Sequence, residues 1–183
     1  VVSHGAMRLV TLGFPEATGE SFESLRLRFL ELYAANLAVG TRLFPGFEAV
    51  LECLESRGLP WGIVTNKPGR LTEPLLAALG LDRRSACAVS GDTLAERKPH
   101  PLPLLHAARL VGVEPARCIY VGDAERDIQA GRAAGMTTLV ASYGYISDSE
   151  DPLQWQPHGI VSEPAELLAW VDACASSPLG TCA

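Results

Sequence analysis

The chain has 183 residues, of which 48% are hydrophobic and 20% are charged, and its formal net charge is −6. This length fits one ordinary domain with a core and a small appendage, and the acidic balance argues against a nucleic-acid-binding or anionic-membrane surface. No apolar run approaches the ~20 residues of a membrane-spanning helix, and the opening stretch VVSHGAMRLV is not typical of a signal peptide.

The cysteines are odd in number and show no CxxC spacing; they are Cys53, Cys87, Cys118, Cys174 and Cys182. Three of them lie in apolar runs or helical patterns, where a thiol behaves as a small hydrophobe. This usage predicts a reducing, cytoplasmic compartment and no disulfide framework.

The first part of the chain is predicted to be helical. Between residues 20 and 38, apolar side chains recur at helical spacing, and nothing before Leu43 is typical of a strand. The pattern changes after LFPG (43–46), so we predict two parts, residues 1–43 and residues 44–183.

The second part alternates helices with short apolar runs. The predicted strands are WGIVT (61–65), ACAVS (86–90), CIYVG (118–122), TTLVA (137–141) and GIV (159–161). The predicted helices cover residues 46–57, 71–79, 102–111, 126–134 and 164–174. Strands that are apolar throughout and separated by helices indicate a parallel sheet covered on both faces, which is a doubly wound α/β core.

Polar side chains follow three of these strands, at the sheet edge where such folds bind ligands. Thr65 and Asn66 offer a hydroxyl and an amide that can donate to an anion's oxygens. Lys98, in the proline-stiffened loop RKPHP, can neutralise a phosphate. Asp123 and Asp127 offer carboxylates that suit Mg²⁺, which takes one or two protein carboxylates and keeps waters.

Each residue also has an ordinary structural interpretation. Thr65 and Asn66 are common turn formers, and Lys98 alone can be a solvated loop charge. Asp123 can cap the following helix and Asp127 can lie in its first turn, where the helix dipole favours negative charge. The convergence of all five at successive strand ends favours the functional interpretation.

These segments resemble the haloacid dehalogenase superfamily of phosphohydrolases. Thr65-Asn66 is similar to its second motif, Lys98 in RKPHP to its third, and GDAERD (122–127) to its fourth. WGIVTNKP and ASYGYI are typical of its phosphoglycolate phosphatase group. YGYI followed by DPLQWQPHGIV is similar to the bacterial N-acetylmuramic acid 6-phosphate phosphatases.

The resemblance implies a Mg²⁺-dependent phosphomonoester hydrolase with a Rossmann-like core, acting on a small phosphorylated metabolite such as phosphoglycolate or a sugar phosphate. It assigns phosphate binding to Thr65, Asn66 and Lys98, a catalytic role to Thr65 and Lys98, and the metal to Asp123 and Asp127. Residues 1–43 would then be the remnant of a helical cap domain, and residues 44–183 the core.

One family motif is missing from the sequence. DxDGT, at the tip of a central strand, supplies the family's nucleophilic aspartate and its acid/base aspartate. None of the aspartates stands in a DxD pair; they are Asp82, Asp92, Asp123, Asp127, Asp148, Asp151 and Asp172. The resemblance therefore predicts a core without its first strand, in which WGIVT and CIYVG lack a neighbour, and an inactive, truncated fragment.

Two alternatives stay open. A natural, non-catalytic protein would use the phosphate pocket as a sensor. A haloacid dehalogenase would attack carbon without a metal, although the GDxxxD carboxylates argue against this reaction. The helical face with Leu25, Phe29 and Leu32 would be exposed without the rest of a cap, and either this face or the sheet surface could support a homo-oligomer.

Overall fold

The computed structural model describes residues 5–176, and the chain divides into two compact units, Val1–Arg42 and Leu43–Ala183. The first unit contains α1 (Gly5–Gly13) and α2 (Gly19–Ala35), which pack against each other. Helix α2 was predicted, but α1 was not. No residue of α2 is buried, and Leu32 is about half exposed.

The second unit alternates strands and helices as the sequence predicts. Its strands are β1 (Gly62–Val64), β2 (Cys87–Val89), β3 (Ile119–Gly122), β4 (Thr137–Ala141) and β5 (Gly159–Val161). Its helices are α3 (Phe47–Ser56), α4 (Gly69–Ala78), α5 (Leu102–Val111), α6 (Glu125–Ala133) and α7 (Leu167–Ser176). The helix predicted over 164–174 starts instead with a 3₁₀ turn, Pro164–Glu166, which has a proline at its start, and α7 follows it.

All strand pairs are parallel, and helices cover both faces of the strands. Leu139 of β4 packs with side chains of α3, β5 and α7, whereas the next residue, Val140, packs with Ile128 of α6. This alternation is the period of two that a strand imposes. Helix α5 packs on the same face of the strands as α6, since Leu104 of α5 and Ala130 of α6 are buried in one cluster. The predicted α/β class is confirmed.

The strands form two sheets, β1-β2 and β3-β4-β5. Within the described residues, β1 and β3 share no ladder of backbone hydrogen bonds, so the predicted break between WGIVT and CIYVG is present. The Thr65 N–H donates to the Val89 carbonyl of β2, so the Val64 carbonyl, one residue earlier, points to the opposite edge. Side chains, described below, satisfy this carbonyl.

Within residues 5–176, no helix combines the length and the apolar character that crossing a membrane requires. Cys53, Cys87 and Cys118 are free thiols, and burial raises the pKa of Cys87 and Cys118. Cys174 is disulfide-bonded, whereas the sequence predicts no disulfide framework. Cys182 lies outside the described residues.

Candidate active site

The ends of β1 and β3 and the loop after β2 bring three of the predicted residues into contact. Asn66 follows β1, Lys98 lies in the loop after β2, and Asp127 is in the first turn of α6. Lys98 is linked by hydrogen bonds to Asn66 and by an ion pair to Asp127. The parallel arrangement explains this convergence, because the carboxyl ends of parallel strands lie at one edge.

Lys98 is a buried cation whose ammonium group has three partners. Its side chain is 8% exposed, and Nζ donates to the carbonyl of Val64 at 2.8 Å and to the hydroxyl of Tyr120 at 2.7 Å. The third partner is the carboxylate of Asp127, whose Oδ1 lies 2.8 Å from Nζ. Nζ thus makes two hydrogen bonds and one ion pair, so an anion that binds here competes with the Asp127 carboxylate for the remaining donor.

Asn66 holds the backbone of Lys98. Its Nδ2 donates to the Lys98 carbonyl at 2.8 Å, and its Oδ1 accepts from the Lys98 N–H at 3.0 Å. This reciprocal pair fixes the residue that carries the ammonium group. The structure therefore shows Asn66 as a support for Lys98, a contact that the sequence did not predict.

Thr65 presents a half-buried hydroxyl at the end of β1. Its Oγ1 accepts from the Lys67 N–H at 3.1 Å, which is a turn of the kind that threonine forms after a strand. The hydroxyl proton can still be donated to an anion. The turn-forming interpretation and the phosphate-binding interpretation of Thr65 are thus compatible.

Asp127 is 5% exposed and lies against Gly122, the last residue of β3. A Cβ built on Gly122 would overlap the Cβ of Asp127 and lie 2.8 Å from its Oδ2. A glycine is therefore needed for this close approach. Oδ1 of Asp127 accepts no well-directed hydrogen bond, and the 2.8 Å approach of Lys98 is an ion pair rather than a hydrogen bond of good geometry.

Asp123 does not cap α6, because the N-cap residue is Ala124. The capping interpretation of Asp123 is therefore wrong. Its Oδ2 accepts instead from the N–H of Tyr145, in the loop after β4, at 2.9 Å. A Cβ on Gly144 would overlap the Cβ of Asp123, so this loop also needs a glycine at the point of contact. Asp127 does lie in the first helical turn, as its structural interpretation expected.

Tyr120 is a site residue that the sequence analysis missed. Its hydroxyl donates to the Val64 carbonyl at 3.1 Å and accepts from Lys98. Burial raises the pKa of the Tyr120 phenol well above its usual value, and the negative charge of Asp127 acts in the same direction. The available signal was a tyrosine inside an otherwise apolar strand, because a buried tyrosine hydroxyl usually has a partner.

The carboxylates fit a magnesium ion only as a partial ligand set. Within residues 5–176, no group of three or more His, Cys, Asp and Glu side chains converges as a metal cage would. Mg²⁺ does not need one, since it commonly takes one or two carboxylates and completes its shell with water and phosphate oxygens. The Asp127 Oδ1, buried and without a well-directed hydrogen bond, is an atom that such an ion would satisfy.

Comparisons with known proteins identify the family of the chain. A family model described as haloacid dehalogenase-like hydrolase matches residues 8–135. A phosphoglycolate phosphatase of Xylella fastidiosa is 48% identical over 97% of this chain and 77% of its own length. An N-acetylmuramic acid 6-phosphate phosphatase of Pseudomonas putida is 42% identical over 94% of this chain and 78% of its own length. The crystal structure of a predicted phosphoglycolate phosphatase from Haemophilus somnus has a TM-score of 0.78 and 32% identity, covering 85% of this chain and 68% of that one.

Proposed function

Because the chain belongs to the haloacid dehalogenase-like hydrolase family, we propose that its site serves the hydrolysis of phosphate monoesters of small metabolites. One observation carries the proposal: a buried ammonium group, that of Lys98, lies at the strand ends beside a carboxylate and is held by Asn66. A transferring phosphoryl group spreads negative charge over its oxygens, and fixed cationic donors stabilise that charge.

Each residue of the site has a proposed role that follows from its chemistry. The Thr65 hydroxyl donates to one phosphoryl oxygen. The Lys98 ammonium group exchanges one of its present partners for another phosphoryl oxygen. Asn66 keeps Lys98 in place through its backbone. Asp123 and Asp127 would hold Mg²⁺, which supplies further charge neutralisation on the phosphoryl oxygens when bound.

The proposed substrate class is inferred from the matched relatives rather than from the geometry of the site. The two matched relatives above carry the names of a phosphoglycolate phosphatase and an N-acetylmuramic acid 6-phosphate phosphatase. We propose a small phosphorylated acid or sugar as the substrate. The free thiols of Cys53, Cys87 and Cys118 support a cytoplasmic setting, whereas the disulfide of Cys174 does not. Of the predicted helical face, Leu32 in α2 is about half exposed, which supports self-association.

We further propose that these 183 residues do not turn over substrate unaided. Neither carboxylate of the site is available as the nucleophile, since both are proposed to hold the metal, Asp127 also pairs with Lys98, and Asp123 also accepts from Tyr145. The sequence contains no DxD pair that could supply a nucleophile and an acid/base. The same observation supports the second candidate, a non-catalytic phosphate sensor, which would bind phosphate at this site.

Binding of inorganic phosphate in the presence of Mg²⁺, measured by calorimetry, tests the site without requiring turnover. We expect Thr65→Val and Lys98→Met to weaken phosphate binding about tenfold each, which is the loss of one charge-assisted contact. Arg109→Met, an exposed cation in the last turn of α5, is the control and should bind as the wild type does. Phosphate binding that is unchanged in both site variants, with normal circular dichroism, would contradict the proposed site.

A further inference from the structure

The loop after β4 encloses one side of the Asp123 carboxylate. The N–H of Tyr145 donates to Oδ2 at 2.9 Å, and Gly144 is so close that a Cβ there would overlap the Cβ of Asp123. A carboxylate with one oxygen fixed by a backbone N–H keeps its other oxygen in a defined direction. The conformation of residues 143–145 therefore determines how Asp123 faces its surroundings.

A single aromatic ring holds both residues that flank Gly144. The ring of Phe44 lies 5.2 Å from that of Tyr143, at an interplanar angle of 70°, and 5.8 Å from that of Tyr145, at 49°. Both centroid distances lie in the range of favourable aromatic pairs. Tyr145 is otherwise 72% exposed, so Phe44 is a main side-chain support of that residue.

Tyr143 is held by packing rather than by a hydrogen bond. Its hydroxyl is buried and has no hydrogen-bond partner, while its ring packs with the cluster of Val50, Leu139 and Val161. Burial raises the pKa of the Tyr143 phenol, and the charge of Asp123 adds to this effect. Since no hydrogen bond of the hydroxyl fixes Tyr143, its place depends on this cluster and on Phe44.

We propose that Phe44 is a positioning residue for the Asp123 carboxylate, acting through Tyr143 and Tyr145. Phe44 lies near the start of the second unit, two residues after Arg42, the last residue of the first unit. Its ring contacts Tyr143 and Tyr145, and through them it connects the start of the second unit to a proposed metal ligand. The inference rests on the proposed function in one respect, which is that Asp123 binds a cation.

Two readouts of the 183-residue chain without substrate test this role. The first is hydrogen exchange of the Tyr145 amide, which reports its bond to Asp123 directly. The second is the affinity for Mn²⁺ alone, measured by electron paramagnetic resonance. We expect Phe44→Leu to speed exchange at Tyr145 and to weaken Mn²⁺ binding about tenfold, the loss typical when the support of a metal ligand is removed. Exchange at Leu139 in β4 should stay slow, which separates a local effect from unfolding.

Three variants make the test specific. Phe44→Tyr keeps the ring and should restore wild-type values in both readouts. Tyr143→Phe removes only the unpartnered hydroxyl and should also behave as the wild type. Phe29→Leu removes a ring from the Phe29–Tyr33 stack in the first unit, away from this loop in the sequence, and should change neither readout.

The outcomes are distinguishable. Wild-type exchange at Tyr145 in Phe44→Leu overturns the positioning role, whatever the chain does with Mn²⁺. If the wild-type chain fails to bind Mn²⁺, the proposed metal ligation fails, and the Tyr145 amide still decides whether Phe44 positions Asp123. If Phe44→Leu does not fold, Phe44→Met, which keeps more of the apolar volume, replaces it with the same expectations.

Discussion

Tyr120 of β3 donates its phenolic hydrogen to the carbonyl of Val64 in β1 at 3.1 Å, across the break between the two sheets. Lys98 Nζ donates to the same carbonyl at 2.8 Å. A strand-edge carbonyl in this position would otherwise be a buried polar group without a partner, at a cost of about 1–3 kcal/mol. Two side chains thus satisfy an acceptor at the edge of β1 that faces away from β2.

Removing the Tyr120 hydroxyl should therefore destabilise the protein. Tyr120→Phe keeps the ring in its cluster but deletes one donor to Val64 and one acceptor of Lys98. We expect the free energy of unfolding, from urea titration, to fall by about 1–2 kcal/mol. Tyr145→Phe, whose side chain is largely exposed, is the control and should change it little. Equal losses of unfolding free energy in the two variants would show that the hydrogen bonds of the Tyr120 hydroxyl contribute nothing to stability.

The Tyr120 phenol also predicts a pH dependence. Its pKa in the folded protein is raised by burial above the usual value of about 10, so the folded state holds this proton more tightly than the unfolded chain does. The stability that results is fully present below pH ~10 and is lost as the pH rises above it. The stability advantage of the wild type over Tyr120→Phe should therefore be constant below about pH 10 and should shrink as the pH rises beyond about 10. An advantage that stays constant over this higher range would contradict the assignment.

The Lys98–Asp127 pair should show strong coupling. Both side chains are less than a tenth exposed, at 8% and 7%. Asp127→Asn leaves a buried ammonium without its counter-charge, and we expect a loss of about 3 kcal/mol in the free energy of unfolding. The double variant with Lys98→Met should lose less than the sum of the single variants, by about 1–3 kcal/mol.

An exposed ion pair provides the control for this cycle. Arg28 and Glu31 in α2 are about two-thirds exposed, at 66% and 67%. Glu31→Gln should cost less than about 0.5 kcal/mol, because solvent screens such pairs. If the losses in the free energy of unfolding of the Lys98 and Asp127 variants were additive, the two groups would not be energetically coupled despite their short distance.

The stability of the protein should be sensitive to a single methyl group added at the glycine that ends β3. Gly122→Ala places a Cβ on top of Asp127, so either the α6 backbone or the carboxylate must move. We expect a loss of about 1–3 kcal/mol in thermal unfolding, which is the cost of overpacking. Gly40→Ala is the matched control, since nothing lies within 4 Å of a Cβ there and its φ is not positive. A Gly122→Ala variant as stable as Gly40→Ala would refute the close approach.

The regular elements of the core were largely predictable. The bounds of α5, β4 and β5 agree with the sequence patterns to the residue, because apolar runs there are bounded by clear breaks in the chain. Helix α1 was missed because the segment GAMRLVTLG is short, begins and ends with glycine and has no acidic residue in its first turn.

The strand-end residues were predictable as a group, but their partners were not. Parallel strands with their carboxyl ends at one edge bring Asn66, Lys98 and Asp127 together, and this follows from the α/β pattern. The reciprocal bonds between Asn66 and the Lys98 backbone depend on the conformation of a proline-containing loop, which the sequence does not specify. The bridge from Tyr120 to Val64 depends on the break between the sheets, and so on an unpaired carbonyl rather than on any motif.

We propose that these residues form the magnesium-dependent phosphate site of a phosphomonoester hydrolase. The most direct measurement is hydrolysis of p-nitrophenyl phosphate, with and without Mg²⁺, by the 183-residue chain and by a chain extended with a strand that carries DxDGT. We predict activity only for the extended chain, only with Mg²⁺, and abolished by Asp123→Asn, while circular dichroism shows both chains folded. Turnover by the 183 residues alone would mean that another group is the nucleophile, and metal-independent turnover by the extended chain would contradict the role of Asp123 and Asp127.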